Sequence, residues 1–229
     1  MWTAEIPFAS LMERNRWKVE FFCDPATLDV PPSAFEMRPI RDIVKERRGA
    51  IDPAEEGGRL VNYLSLEHVQ PLTGQLINFQ ARAGHSIKSR SKLFHRDDVL
   101  YGRLRPLLNK VYHATDPVAE GICSGEFYVL IPNKQLINPV VLRYLLSSEY
   151  VQRHAARFEI GAALPRIGLD DLLSIEVPVP PMAVQEKYAQ DLTAHFSHLV
   201  VMTKELDRMP RQIAASFLTA LENGNGGIS

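Results

Sequence analysis

From residue 184 onward the chain places an apolar side chain at every third or fourth position: 184, 188, 192, 196, 199, 202, 206, 209, 213, 217 and 221. No other feature restricts the fold so strongly. Steps of three and four fall on one side of an α-helix, and a stripe of this length approximates a heptad seam. Such a face has to be covered. Either the helix folds back on its own domain, or it pairs with a helix of another chain. Leu192, Phe196, Leu199, Leu206, Ile213 and Phe217 are the residues expected to make that contact. Pro210 deletes one helical hydrogen bond, so a kink or a split into two helices is expected there. The preceding prolines, Pro178, Pro180 and Pro181, would let the arm project from what comes before it.

The first 36 residues read as an irregular lead-in with a short helix over 10–22. Residues 37–181 have a different texture. Strand-sized runs at 60–69, 75–80, 92–94, 99–104, 110–113 and 127–131 are separated by Gly, Pro, Asn or Asp. Punctuation at such intervals predicts an antiparallel, barrel-like or sandwich arrangement. Residues 45–59 read as a loop. A helix is predicted over 140–158, with Asn138 as N-cap and Pro139 at the first helical position. A turn at 169–173 and an extended stretch over 174–181 lead into the arm. The predicted class is α+β: a mostly β domain with flanking helices (37–181), a helical arm (182–222) and a flexible tail (223–229).

Charge matters here through its placement. The chain balances 26 Lys and Arg against 27 Asp and Glu, so the whole protein is no polycation. Between residues 82 and 110, however, lie Arg82, Lys88, Arg90, Lys92, Arg96, Arg103, Arg105 and Lys110 against only Asp97 and Asp98. Lys88-Ser89-Arg90-Ser91-Lys92 interleaves cations with hydroxyls, the donor set that grips phosphates. Tyr101 adds an aromatic. The alternative is a solvated loop and a strand whose Arg stems cover apolar surface.

Two further stretches stand out. Gly161-Ala-Ala-Leu-Pro-Arg166 is a short loop that could aim Arg166 at a phosphate or a base. Gly121-Ile-Cys-Ser-Gly-Glu126 could expose Ser124 in a tight turn, although no base or orienting partner accompanies it. The sequence contains no P-loop, no Gly-x-Gly-x-x-Gly, no His-Glu-x-x-His and no Asn-Pro-Pro-Tyr tetrapeptide. No catalytic residue, metal site or cofactor is therefore assigned. Cys23 and Cys123 lack disulfide-scaffold or metal-ligand spacing. With no signal peptide and no apolar run of membrane length, the expected location is cytoplasmic.

Taken in order, these segments resemble the specificity (S) subunit of type I restriction-modification systems. The resemblance runs from about residue 37 to 196. It is carried by Tyr63-Leu-Ser-Leu-Glu-His-Val69, Ile87-Lys-Ser89, Phe94-His-Arg-Asp-Asp-Val-Leu-Tyr-Gly-Arg-Leu-Arg-Pro106 with Lys110, Gly121-Ile-Cys-Ser-Gly-Glu126, Leu164-Pro-Arg-Ile167, and Val177-Pro-Val-Pro-Pro-Met-Ala-Val-Gln-Glu186. It implies a target recognition domain followed by a spacer helix, with no catalytic centre of its own. The implied partners are double-stranded DNA, a methyltransferase subunit and, through the complex, a restriction and translocation subunit. Lys88, Ser89, Arg90, Lys92, Tyr101, Arg103, Arg105, Lys110, Ser124 and Arg166 are the expected DNA contacts. Position 97 is Asp where such proteins usually carry Gly. The chain holds one recognition domain and one helix where full-length members hold two of each. That implies a half-length or excised S subunit, dimerising through its helices to read two half-sites. Two other readings remain: the specificity part of a fused type IIB or IIG enzyme, and a helical protein-interaction module.

Overall fold

The computed structural model describes residues 34–161 and 163–222. The short helix expected over 10–22, Cys23 and the glycine-rich tail lie outside them. The chain divides into two compact units, residues 1–186 and 187–229.

In the first unit the elements run β1 (Met37–Pro39), α1 (Ile40–Ile43), β2 (Val44–Glu46), β3 (Ala50–Ile51), β4 (Leu60–Val61) and β5 (Tyr63–Leu64). They continue with β6 (Arg82–Ala83), β7 (Ser91–Phe94), β8 (Val99–Gly102), β9 (Val111–His113), β10 (Gly121–Ser124) and β11 (Phe127–Pro132). Helices α2 (Pro139–Ser147), α3 (Glu149–Arg157) and α4 (Leu169–Ser174) follow, then β12 (Glu176–Pro178) and α5 (Met182–Glu222).

Two four-stranded sheets carry the domain, ordered β3-β7-β10-β5 and β2-β11-β8-β9. The second is antiparallel throughout, whereas β5 joins β10 in parallel. Side chains alternate across a strand, and β11 shows the consequence. Phe127 and Val129 join Leu64, Phe94, Leu100, Tyr112 and Cys123 in one core fed by both sheets. Tyr128 and Leu130 point the other way and are buried too, so this sheet is covered on both faces. The mixed, mostly β class predicted from the sequence holds. The sheets do not close into a barrel: β3 and β5 are two-residue edge strands, too short to ladder onto the second sheet.

Several local expectations change. Residues 60–69 are two short strands and a helical turn rather than one strand. Residues 75–80 contribute only a single bridge, Val69 to Leu76. Part of the expected loop at 45–59 is strand, in β2 and β3. The helix expected over 140–158 is two helices. Asn138 caps the first, its side chain accepting from Val140 N at 2.9 Å. Ser148 then takes an extended conformation and caps the second, its hydroxyl accepting from Val151 N at 3.3 Å. A hydroxyl that can satisfy a free N–H ends one helix and starts the next.

The start of α5 belongs to the first unit and is fixed by Gln185, which is fully buried. Its Nε2 donates to Leu136 O and Pro180 O at 2.8 and 2.7 Å, and its Oε1 accepts from Asn138 N at 2.8 Å. The helix then runs through Pro210 to Glu222 as one element, not two. Taken as its own unit, the arm leaves Leu199, Leu206, Ile213 and Phe217 exposed. Among the described residues no helix is long and apolar enough to cross a membrane.

Candidate nucleic-acid interface

Strand register decides where the cationic segments end up. Ser91 lies opposite Ser124, and Phe94 opposite Gly121. The start of β7, preceded by Lys88, Ser89 and Arg90, therefore sits beside the end of β10, followed by Gly125 and Glu126. On the other sheet Gly102 lies opposite Phe127. Arg103 thus leaves β8 where the β10–β11 turn begins. Arg103 N donates to Glu126 O at 2.9 Å, and Ile167 N donates to Arg103 O at 3.1 Å. Leu104 bridges Arg166, and Gly102 N donates to Lys110 O at 2.9 Å. Segments separated by up to eighty positions in the sequence thereby share one rim.

Glu126 is the hub of this rim. Arg166 donates Nε to Oε2 at 3.0 Å and Nη2 to Oε1 at 2.8 Å. Arg103 approaches the same carboxylate to 4.0 Å. The hydrogen bond from Arg166 holds the Glu126 carboxyl below the usual carboxylate range, and Glu126 raises Arg166 in return. Beside this pair the Tyr128 ring has Lys92 Nζ at 5.2 Å and the Arg103 guanidinium at 5.3 Å, distances suited to cation–π attraction. The Tyr128 hydroxyl donates to Ile167 O at 3.0 Å, tying strand to loop. Arg103 and Arg166 keep about a third of their side-chain surface in water, at 35% and 34%.

The other expected contacts differ in what their side chains meet. Lys88, Ser89, Arg90 and Arg105 are exposed. Lys92 and Lys110 are held inward: Lys92 Nζ donates to Phe127 O at 3.0 Å and meets Glu46 at 3.2 Å, while Lys110 Nζ donates to Leu66 O at 2.7 Å. Burial lowers the Lys110 ammonium. Ser124 turns its hydroxyl to accept from Glu126 N at 3.2 Å. Tyr101 is a correction. It is 1% exposed, so it packs the core and offers no surface. An alternating strand covered on both faces buries aromatics whatever their sequence neighbours.

Sequence reasoning missed three residues. Arg48, in the link between β2 and β3, has 86% of its side chain exposed and reaches Glu46 only at 3.7 Å. Pairing of Ala50 with Lys92 carries it to the same edge; the run Lys45-Glu-Arg-Arg48 was the available signal. Glu126 was seen only as part of a turn, and the clamp at Gln185 had no periodic signature. Position 97 shows how Asp replaces Gly. Asp97 adopts φ 70, the left-handed region glycine favours. Its carboxylate meets Lys134 Nζ at 2.7 Å and His113 Nε2 at 3.5 Å.

The chain is thus an α+β protein: a domain on two open sheets with cations gathered along one rim, and a long helix after it. The chain belongs to the type I restriction modification DNA specificity domain family, whose model matches residues 32–208. It is 26% identical over 145 residues to the EcoDI type I restriction enzyme specificity subunit of Escherichia coli, covering 63% of this chain and 31% of that protein. The fold is similar to that of the HsdS subunit from Thermoanaerobacter tengcongensis, at TM-score 0.63 and 20% identity over 83% of this chain and 47% of the other. It is similar again to the type I S subunit from M. genitalium, at TM-score 0.57 and 16% identity over 86% and 49%. The chain thus spans less than half the length of each of these relatives.

Proposed function

We propose that this chain recognises a short sequence of double-stranded DNA as the specificity component of a type I restriction-modification complex. The observation that carries the proposal is the rim, where strand register gathers cations from five sequence segments. Lys88, Ser89, Arg90 and Arg48 are the groups free to reach phosphates. Arg166 is a fork held in fixed orientation by Glu126, and Arg103 lies over the Tyr128 ring beside it, the preorganisation that base-edge contacts need. The roles differ: exposed flexible cations set affinity and register, and the held guanidiniums discriminate.

The arm serves assembly. Its apolar stripe pairs with a like helix, supplied by a second copy of this chain, which brings two recognition rims to one duplex. Methyltransferase and, through it, restriction subunits complete the complex and carry out the chemistry.

Fluorescence anisotropy of the full chain with labelled duplex, titrated from low to high salt, tests the DNA reading. Affinity should fall linearly on a log–log plot. Lys88→Ala with Arg90→Ala should lower the slope by about two. Binding that ignores both salt and the double substitution contradicts it.

A further inference from the structure

Arg166 is fixed at its backbone and at its side chain. Its backbone bridges Ile160 on one side, N to O at 2.9 Å in each direction, and Leu104 on the other. Its guanidinium gives Nε and Nη2 to the Glu126 carboxylate and Nη1 to Leu164 O at 3.1 Å. One N–H is left on Nη1 and one on Nη2. These make a second fork on a side chain that keeps about a third of its surface in water. Glu126 is fixed as well. Its backbone O accepts from Arg103 N at 2.9 Å, and its backbone N donates to Ser124 Oγ at 3.2 Å. Its carboxylate is as exposed as Arg166. Held ionised, it is an acceptor only, with lone pairs beyond those that Arg166 takes.

Nη2 is the nitrogen that meets Oε1. The groups left free therefore run in a fixed order: donor on Nη1, donor on Nη2, acceptor on Glu126. That order selects the ligand. A phosphate offers acceptors alone and is repelled by the Glu126 charge. Base edges in the major groove are neutral and present fixed patterns. A guanine–cytosine pair shows the N7 and O6 acceptors of guanine and then the N4 amino donor of cytosine. It complements donor, donor, acceptor in the same order. An adenine–thymine pair shows acceptor, donor, acceptor in either direction. It sets an amino group against Nη2 and an oxygen or nitrogen lone pair against the carboxylate.

We propose that Arg166 and Glu126 together read one guanine–cytosine pair of the target, Arg166 spanning guanine N7 and O6 and Glu126 accepting from cytosine N4. Glu126 is then a specificity-determining residue as well as the anchor of Arg166. This rests on the reading that the rim recognises duplex DNA.

The test starts from the motif that the full wild-type chain selects from random duplexes. Each guanine–cytosine pair in it is altered in two ways. Replacing guanine by 7-deazaguanine removes the N7 acceptor. Replacing cytosine by N4-methylcytosine keeps the pairing and fills the major-groove N–H with a methyl group. At one pair both changes should weaken binding by about tenfold. With Arg166→Ala the 7-deazaguanine penalty at that pair should vanish, and with Glu126→Ala the N4-methylcytosine penalty, while penalties at other pairs persist. A motif in which no pair is sensitive to both changes overturns the proposal with the wild-type chain alone, whether or not the variants fold. Unchanged penalties in folded variants also overturn it, leaving Arg166 and Glu126 as a brace of the rim. A folded wild-type chain that selects no motif removes the recognition reading and this proposal with it, whereas a selected motif indifferent to both changes removes the proposal only.

Discussion

Arg166 grips Glu126 with two nitrogens across 40 residues of sequence, Nε to Oε2 at 3.0 Å and Nη2 to Oε1 at 2.8 Å. A bidentate fork fixes the guanidinium plane as well as its position. That single carboxylate links the β10–β11 turn to the loop ending in Ile167, and lies 4.0 Å from Arg103 at the end of β8.

The pair should titrate. The folded-state pKa of Glu126 is depressed, with the hydrogen bond from Arg166 as the first cause. A depressed carboxyl stabilises the fold above its unfolded pKa, about 4.3 for Glu, and loses that stabilisation as pH falls through the folded value. The melting temperature should drop as pH falls below about 4.3. Glu126→Gln should flatten the drop, leaving what Asp97 and Asp116, also depressed, contribute. Equal pH profiles for wild type and variant contradict the linkage.

Tyr101→Phe should leave duplex affinity unchanged and stability within about 1 kcal/mol. The ring is fully packed, and the Gln152 side-chain amide acts on its hydroxyl. Tyr101→Ala should destabilise by about 3–5 kcal/mol through the cavity it leaves. Denaturant unfolding and anisotropy check both. A folded Tyr101→Phe protein with weakened DNA binding would return the residue to the interface.

Gln185→Ala should cost about 2–4 kcal/mol, because it leaves Asn138 N, Leu136 O and Pro180 O without their buried partner. Unfolding in urea measures this. A loss below about 0.5 kcal/mol would show that the three contacts are replaceable by water.

Asp97→Gly should be close to neutral, within about 1 kcal/mol. Glycine relieves the left-handed backbone at φ 70, while the ion pair with exposed Lys134 at 2.7 Å is lost. Thermal melts of the single variant and of Asp97→Gly with Lys134→Ala separate the two terms.

How far the sequence speaks depends on the range of the force involved. The arm was legible because period alone reports a helix over forty residues, and the Asn138 cap because it is a local hydrogen bond. The strand pieces β7, β8, β9 and β11 followed from β-prone runs between turn residues. The break at Ser148 was missed because helical apolar spacing continues across it in the next helix. Among the site residues, the gathering of cations was legible as a local surplus, but their individual fates were not. Lys92 and Lys110 turn inward because carbonyls of Phe127 and Leu66 wait for them, and those neighbours are set by register. Glu126 became the hub only once Arg103 and Arg166 met there.

If the rim reads DNA sequence, bound duplexes will share a motif. The decisive measurement incubates the full chain with duplexes of randomised interior at about 0.15 M salt, a concentration that screens non-specific contacts, and sequences the bound fraction over successive rounds. One short motif should be enriched, and the enrichment should be lost when Arg103 and Arg166 are both replaced by Ala in a chain that still folds. A bound fraction as random as the input, with the wild-type chain folded, would contradict it.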